Sequence, residues 1–159
     1  MAKRKQRWKD GDLFAVPLVD STYALGQVID LQMPNVVRCA IYSARLSAGD
    51  FSRASAIHAD ATLISLVATT REHLDFGVWT ALGSAPISVR RDQLPNERFR
   101  AAGWVGAKIH DASIVEEFCN AFHALLPWDD WADPDYLDRL LVSPSVKPKN
   151  LVFKGGRQQ

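Results

Sequence analysis

The stretch GDLFAVPL, residues 11–18, decides the fold because it reads as a turn followed by a β-strand. Gly11 and Asp12 are turn formers, and the apolar run after them is typical of a strand. Pro17 cannot donate a backbone hydrogen bond, so we expect this strand either to lie at a sheet edge or to leave its sheet there. Residues 19–22 predict a turn and residues 23–31 a second strand, which together complete a β-hairpin.

Further strands are predicted after the hairpin. Gly26, in the middle of the second strand, indicates a bulge or a sharp bend, as at the corner of a small barrel. Residues 36–42 predict a third strand. The β-branched run at residues 62–70 predicts a strand that is central and buried on both faces. Residues 43–60 show no clear period and allow no prediction.

The C-terminal third of the chain is predicted to be helical. Ser113 and Glu116 have the spacing of a capping box, and apolar residues at helical spacing follow them as far as Pro127. Asp133 and Pro134 predict the start of a second, short helix that reaches residue 141. Strands followed by helices indicate an α+β fold: a bent antiparallel β-sheet or small barrel with two C-terminal helices packed on it.

The length of 159 residues fits one domain, which we place at residues 10–142. We expect a basic, flexible arm at residues 1–9 and an extended or disordered tail at residues 143–159. The formal net charge is +1, and the two cysteines, Cys39 and Cys119, form no disulfide framework. No apolar run reaches the length of a membrane span, and the basic start lacks the apolar core of a signal peptide. We therefore expect a cytoplasmic protein with no membrane partner.

The sequence contains no recognisable catalytic or metal-binding motif. The four histidines lack the spacing of a zinc site: His58, His73, His110 and His123. No GxSxG nucleophile motif occurs, and both cysteines lie in apolar patterns that predict buried, inert thiols. We expect His123 to be solvated on the polar face of its helix. Residues 103–106, GWVG, predict a turn with a packed Trp104 and not an RNA-binding loop. We expect no enzymatic activity and no cofactor, and nucleic acid is not the expected partner.

The most unusual segment is WDDWADPDYLD, residues 128–138, which we call the acidic-aromatic segment. It holds five aspartates, two tryptophans and one tyrosine. One interpretation is structural, with a helix cap and inward-facing rings. A second is a calcium site, although the segment lacks the EF-hand pattern. A third is a partner-binding surface, because interface hot spots favour Trp and Tyr and charge steers association. The candidate partner-binding residues are Trp128, Asp129, Asp130, Trp131, Asp133, Asp135, Tyr136 and Asp138.

Two motifs together resemble the immunity protein 26 family of bacterial polymorphic toxin systems. The first is GDLFAVPL with Gly26 after it, and the second is G-x-W-x-x-L-G-x-x-P at residues 77–86. The positions that match are Gly11, Asp12, Phe14, Pro17, Leu18, Gly26, Gly77, Trp79, Gly83 and Pro86. We interpret these residues as structural. The resemblance implies a mostly β fold and no catalytic residues, and it does not locate the face that binds a toxin.

The resemblance implies an immunity protein that binds and neutralises a cognate toxin by stoichiometric protein–protein interaction. Two alternatives remain open. One is a binding module for a small ligand or another protein. The other is a small-barrel ribonuclease toxin of the PemK type, whose opening also resembles a GD turn followed by an apolar strand. The oligomeric state is not predicted.

Overall fold

Five antiparallel strands form one open sheet in the computed structural model, which describes residues 5–156. The strands are β1 (Asp12–Pro17), β2 (Tyr23–Met33), β3 (Val36–Leu46), β4 (Leu63–Thr70) and β5 (Thr80–Ser84). Their order across the sheet is β4-β3-β2-β1-β5. Within the described residues β4 and β5 do not pair with each other, so the sheet is not closed into a barrel. The fold is α+β, as predicted.

Three α-helices and six short 3₁₀ helices accompany the sheet in the described part of the chain. The α-helices are α1 (Ala54–Asp60), α2 (Glu72–Asp75) and α3 (Ala112–Phe122). The 3₁₀ helices are Ala48–Arg53, Arg91–Gln93, Glu97–Ala102, Leu137–Leu140, Pro144–Val146 and Lys154–Gly156. None of the helices between residues 5 and 156 has the length and apolar character needed to cross a bilayer.

The predicted hairpin is confirmed, and β1 leaves the sheet at Pro17. β1 lies between β2 and β5, so it is not an edge strand. Pro17 is its last residue and pairs with Tyr23 across the hairpin. Of the two alternatives that proline allowed, the strand ends there: Pro17 is the last residue of β1, and one further hairpin hydrogen bond follows, from the Leu18 N–H to the Thr22 carbonyl at 2.8 Å.

The prediction that residues 62–70 form a central strand is wrong, because β4 is an edge strand. Two later segments cover its open edge. The His110 N–H donates to the Ala68 carbonyl, and the Val142 N–H donates to the Ile64 carbonyl, both at 2.9 Å. This cover buries most of β4, and an edge strand covered in this way has the apolar composition of a central one.

The sheet is buried on both faces, so the molecule has three layers. One face packs Phe14, Val28 and Trp79 against Phe118 and Cys119 of α3. The other face carries a second apolar cluster, whose members come from the sheet, α1 and the loop after β5: Leu13, Leu25, Tyr42, Ala54 and Leu94. The segment at residues 43–60 that allowed no prediction therefore forms part of the cover on the second face.

The helical end differs from the prediction in two ways. The helix α3 begins after Asp111, without a side-chain cap from Ser113, and ends at Phe122. Its Glu116 accepts a hydrogen bond from Trp79 Nε1 at 3.4 Å, so the carboxylate is used between elements and not in a capping box. The predicted second helix is only the 3₁₀ turn at Leu137–Leu140, because Asp133 accepts the N–H of Asp135 and forms a local turn instead.

Both ends of the described chain pack on the domain, which differs from the flexible arm and tail that we expected. The Gln6 side chain donates to the carbonyls of Leu74 and Trp79 and accepts from the N–H of Ala81. The bonds to Trp79 and Ala81 satisfy backbone groups at the free edge of β5, as a neighbouring strand would. Residues 1–4 of the predicted arm lie outside the described residues.

In the tail, Leu151 and Phe153 are buried in the core, and Val152 accepts the N–H of Trp128 at 2.7 Å. The described part of the tail is therefore packed and contains two short 3₁₀ helices, and its apolar residues complete the core beside the acidic-aromatic segment. Residues 157–159 of the predicted tail lie outside the described residues.

Candidate partner-binding surface

Several residues that match the two family motifs have backbone or packing roles. Gly11, Gly77 and Gly83 have φ values of +91°, +72° and +96°, which a side chain disfavours. Phe14 and Trp79 are completely buried and stack with ring centroids 5.1 Å apart. None of these positions belongs to the acidic-aromatic segment, so the family motifs and the candidate surface are separate.

Gly26 is required by a close approach of side chains. It pairs with Phe14 across the hairpin, and a Cβ on Gly26 would lie 2.3 Å from the Phe14 Cζ. The register irregularity between β2 and β3 lies next to it, between Ala24 and Leu25. The glycine that we interpreted as a bulge or bend therefore makes room for the Phe14 ring.

Trp128 and Asp138 anchor the acidic-aromatic segment to the core. The Trp128 ring is completely buried, 5.7 Å from the ring of Phe118. Its Nε1 donates to Asp138 Oδ1 at 2.9 Å, and Lys147 Nζ lies 2.9 Å from the same oxygen. Burial opposes ionisation of Asp138, but the hydrogen bonds from Lys147 and Trp128 hold its pKa below the usual value. Trp128 offers no ring surface to a partner, and it holds the segment in place.

Trp131 and Tyr136 form a stacked pair at the partly exposed part of the segment. Their ring centroids are 4.8 Å apart with an interplanar angle of 18°. The Tyr136 hydroxyl lies 3.1 Å from Nδ1 of His110, which ties the pair to the residue that covers β4. Two large rings are therefore held in one arrangement before any partner binds.

Most carboxylates of the segment already have partners. Asp130 pairs with Lys154 at 3.3 Å and Asp133 with Arg139 at 2.5 Å. Asp129 accepts the backbone N–H of Lys154. Asp135 is exposed, and among residues 5–156 it has no ion-pair partner. Five carboxylates thus face three cations, and the segment is less acidic than its sequence indicates.

A groove of about 510 Å³ lies beside the segment. Its lining comes from β4, from the loop after β5 and from the stretch that follows the segment: Leu63, Leu66, Gln93, Pro95, Arg139, Leu140, Leu141 and Val142. No local pattern in the sequence predicts the contribution of Gln93 and Pro95. Residues 87–100 have no hydrophobic period, and their place beside β4 is set by contacts far apart in the chain.

The cysteines and histidines are used in the core and at its margin. Burial raises the thiol pKa of both Cys39 and Cys119. The prediction that His123 is solvated is wrong, because its Nε2 is enclosed without a hydrogen-bond partner in the described residues. Burial, followed by the charge of Arg45, lowers the pKa of His123 to about 4. Between residues 5 and 156 no three His, Cys, Asp or Glu side chains are arranged to bind a metal.

The architecture places the protein in the α+β class, with one open antiparallel sheet that is packed on both faces. Comparison with protein-family models then matches residues 9–104 to Immunity protein 26. The match covers more than half of the chain, and the chain belongs to the Immunity protein 26 family. Searches of curated proteins and of solved structures return no match. The family is generally non-enzymatic, and as a family of immunity proteins it implies a toxin partner in general.

Proposed function

We propose that this protein binds a cognate bacterial toxin in the cytoplasm of the producing cell and neutralises it by stoichiometric contact. The observation that carries this proposal is the family match over residues 9–104. The activity of an inhibitor of this kind depends on a preorganised surface and needs no reacting group of its own.

We further propose that the exposed part of the acidic-aromatic segment belongs to the toxin-binding surface. Trp131 and Tyr136 are stacked before binding, so little side-chain entropy is lost when a partner covers them. Aromatic residues of this type dominate interface energetics. Asp135 is exposed in the same segment, which holds more carboxylates than the cations that pair with them, and this surplus favours a toxin surface of positive charge. Trp128 and Asp138 support the pair from the core, and Asp129 and Asp133 fix the backbone of the segment.

The segment alone is too small for a stable complex, which buries on the order of 1,600 Å² in total. The adjoining groove along β4 extends the same surface. An interface that covers both would place the stacked pair near one side and the covered edge of β4 near its centre.

The experiment pairs this protein with the toxin domain encoded by the reading frame beside its gene. Expression of this protein alone should leave growth unchanged, and co-expression should abolish growth arrest by the toxin. Titration of the toxin's activity should reach full inhibition at one molecule of this protein per toxin. Growth arrest by this protein alone would instead support the ribonuclease-toxin alternative, and absence of a complex would contradict the proposal.

Two variants test the surface. Trp131→Ala should weaken toxin binding by roughly 2 kcal/mol, or about 30-fold. Asp130→Ala combined with Asp135→Ala should slow association and reduce its dependence on salt. Asp60→Ala is the matched control, because Asp60 is exposed on α1, whose Ala54 packs on the opposite face of the sheet. Equal association rates for the double variant and the control would show that the acidic-aromatic segment is not part of the interface.

A further inference from the structure

The loop at residues 96–109, which we call the basic loop, has an unusual backbone. Four of its residues have left-handed φ values: Asn96 at +68°, Gly103 at +66°, Trp104 at +69° and Gly106 at +93°. Glycine accepts this geometry freely and asparagine tolerates it, but tryptophan does not. A bulky residue stays in this conformation only where surrounding contacts enforce it.

A buried arginine enforces the conformation of the basic loop from below. Arg38 on β3 is completely buried, and it donates to Asp30 on β2 at 2.7 and 2.6 Å. The remaining guanidinium nitrogen of Arg38, Nη1, donates to Glu97 of the basic loop at 2.9 Å and to the Pro95 carbonyl at 3.1 Å. A buried charge is costly unless it is fully paired, and here one of the pairs holds a surface loop against the sheet.

Two guanidinium groups then fix the Trp104 ring. The Cζ atoms of Arg38 and Arg100 lie 5.5 and 4.8 Å from its centroid, and Arg100 also donates to Glu97 at 2.6 and 3.0 Å. These contacts hold the ring, and the following residue projects from the loop. Val105 is 75% exposed, the highest value among the large apolar side chains that are exposed in the described part of the chain.

The segment that carries Val105 holds more cations than carboxylates. Residues 97–109 hold three cations, Arg98, Arg100 and Lys108, and one carboxylate, Glu97, which is already bonded to two arginines. Arg98 and Lys108 are exposed. Ile109, also exposed, adds a second apolar side chain. An exposed apolar side chain in a segment with more cations than carboxylates complements an apolar depression on an acidic surface.

We propose that the basic loop is a second toxin-binding element and that it fits Val105 into an apolar depression on an acidic part of the toxin surface. This inference rests on the proposed function and deepens it. The loop leads directly into His110, whose Nδ1 lies 3.1 Å from the hydroxyl of Tyr136. One partner can therefore contact the basic loop and the Trp131–Tyr136 pair together. An acidic patch of the partner would face the basic loop, and a basic patch of the partner would face the acidic-aromatic segment.

A protein surface fits the basic loop better than a nucleic acid does. Single-stranded nucleic acids bind through bases stacked on open aromatic faces. Both aromatic rings of this loop face guanidinium groups, Trp104 those of Arg38 and Arg100 and Phe99 that of Arg98, and the exposed tip is aliphatic. The positive charge alone would attract phosphates, so nucleic acid is included as an arm of the test.

The test measures binding of the adjacent toxin domain by calorimetry and by stopped-flow association. Val105→Ser should lower affinity at least about tenfold. Its control is Val19→Ser, because Val19 is 65% exposed in the turn between β1 and β2. Arg98→Glu with Lys108→Glu should slow association about tenfold at low salt, and the difference should shrink as salt rises. Arg53→Glu, an exposed cation next to α1, is the charge control. Thermal unfolding confirms that each variant is folded.

The outcomes separate the two proposals. If the wild-type chain neutralises the toxin and all four variants bind it equally, the basic loop is not an interface, and the proposed function stands. If the wild-type chain does not bind the toxin, the proposed function fails and this inference fails with it. If Arg98→Glu with Lys108→Glu leaves toxin binding unchanged and abolishes binding of a labelled single-stranded RNA, the loop is a nucleic-acid surface and the inference is overturned.

Discussion

Phe14 and Gly26 face each other across β1 and β2, and the Phe14 ring occupies the space that a side chain at residue 26 would need. Trp79 stacks on Phe14 with an interplanar angle of 6°. A glycine, a phenylalanine and a tryptophan from three separate parts of the family pattern therefore form one layered contact. The spacing of the pattern is a packing requirement of the sheet.

Gly26→Ala should destabilise the protein by about 1–3 kcal/mol, because the added methyl group overlaps the Phe14 ring and forces it to move. For a chain of this size the melting temperature should fall by roughly 2–4 °C per kcal/mol. Gly49→Ala is the control, since a Cβ there meets only the Ser47 hydroxyl at 3.7 Å. Equal melting temperatures for the two variants would contradict the close approach at Gly26.

Glu97→Gln should lower stability at pH 7 and flatten the acid limb of the stability curve. The hydrogen bonds from Arg100 and then from Arg38 lower the pKa of Glu97 to about 2, whereas an unfolded glutamate titrates near about 4.3. A lowered carboxylate pKa contributes stability above the unfolded value, and this contribution is lost as the pH falls toward 2.

The measurement for Glu97→Gln is urea unfolding of both proteins at a series of pH values from 7 to 3. The difference between their free energies of unfolding should narrow below about pH 5. Asp92→Asn, an exposed carboxylate in the turn before the basic loop, controls for the loss of a surface charge. A difference that stays constant with pH would show that Glu97 does not act through its charge.

His123→Gln should reduce the pH dependence of stability between about pH 6.5 and pH 4. Burial and the charge of Arg45 lower the pKa of His123 to about 4, so in this interval the unfolded chain binds a proton that the folded chain does not. Stability should therefore fall as the pH decreases, and His123 should contribute a slope approaching 1.4 kcal/mol per pH unit. His73→Gln, at a histidine that lies 3.5 Å from Glu116, gives the comparison. If the free energy of unfolding depends on pH equally in His123→Gln and in wild type, the enclosed His123 ring does not cause this dependence.

Removal of residues 151–159 should cost at least about 3 kcal/mol of stability, because it removes two buried side chains, Leu151 and Phe153, from the core. It also removes the Val152 carbonyl that accepts the N–H of Trp128. Removal of residues 157–159 alone is the control. Urea unfolding distinguishes the two results: a shorter chain as stable as the control would mean that the tail adds nothing to the core.

The sequence predicted the first three strands well because their hydrophobic patterns and turn residues are local. It failed where distant residues decide the outcome. The apolar run of β4 indicated a central strand, and only the later segments at His110 and Val142 explain its burial at an edge. Ser113 has the spacing of a cap, but the helix already begins at Ala112, and the Glu116 that would complete the box accepts from Trp79, 37 positions earlier.

The candidate surface was predictable only as a segment. Composition drew attention to residues 128–138, but it did not distinguish Trp128, which is buried, from Trp131, which is partly exposed. The ion pairs with Lys147 and Lys154 come from a tail that we expected to be extended or disordered. The anchor of the basic loop was invisible to any local pattern, because Arg38 and Glu97 are 59 positions apart.

The cover over β4 has a consequence for biosynthesis. The residues that close the β4 edge, His110 and Val142, come after the end of the family match at residue 104 and well after β4 itself, which ends at Thr70. Because they are synthesised later, at about 5–20 residues per second, a growing chain presents an open strand edge to neighbouring nascent chains for several seconds. Open strand edges are templates for aggregation. In this protein the exposure ends when the C-terminal third of the chain folds onto the edge of β4.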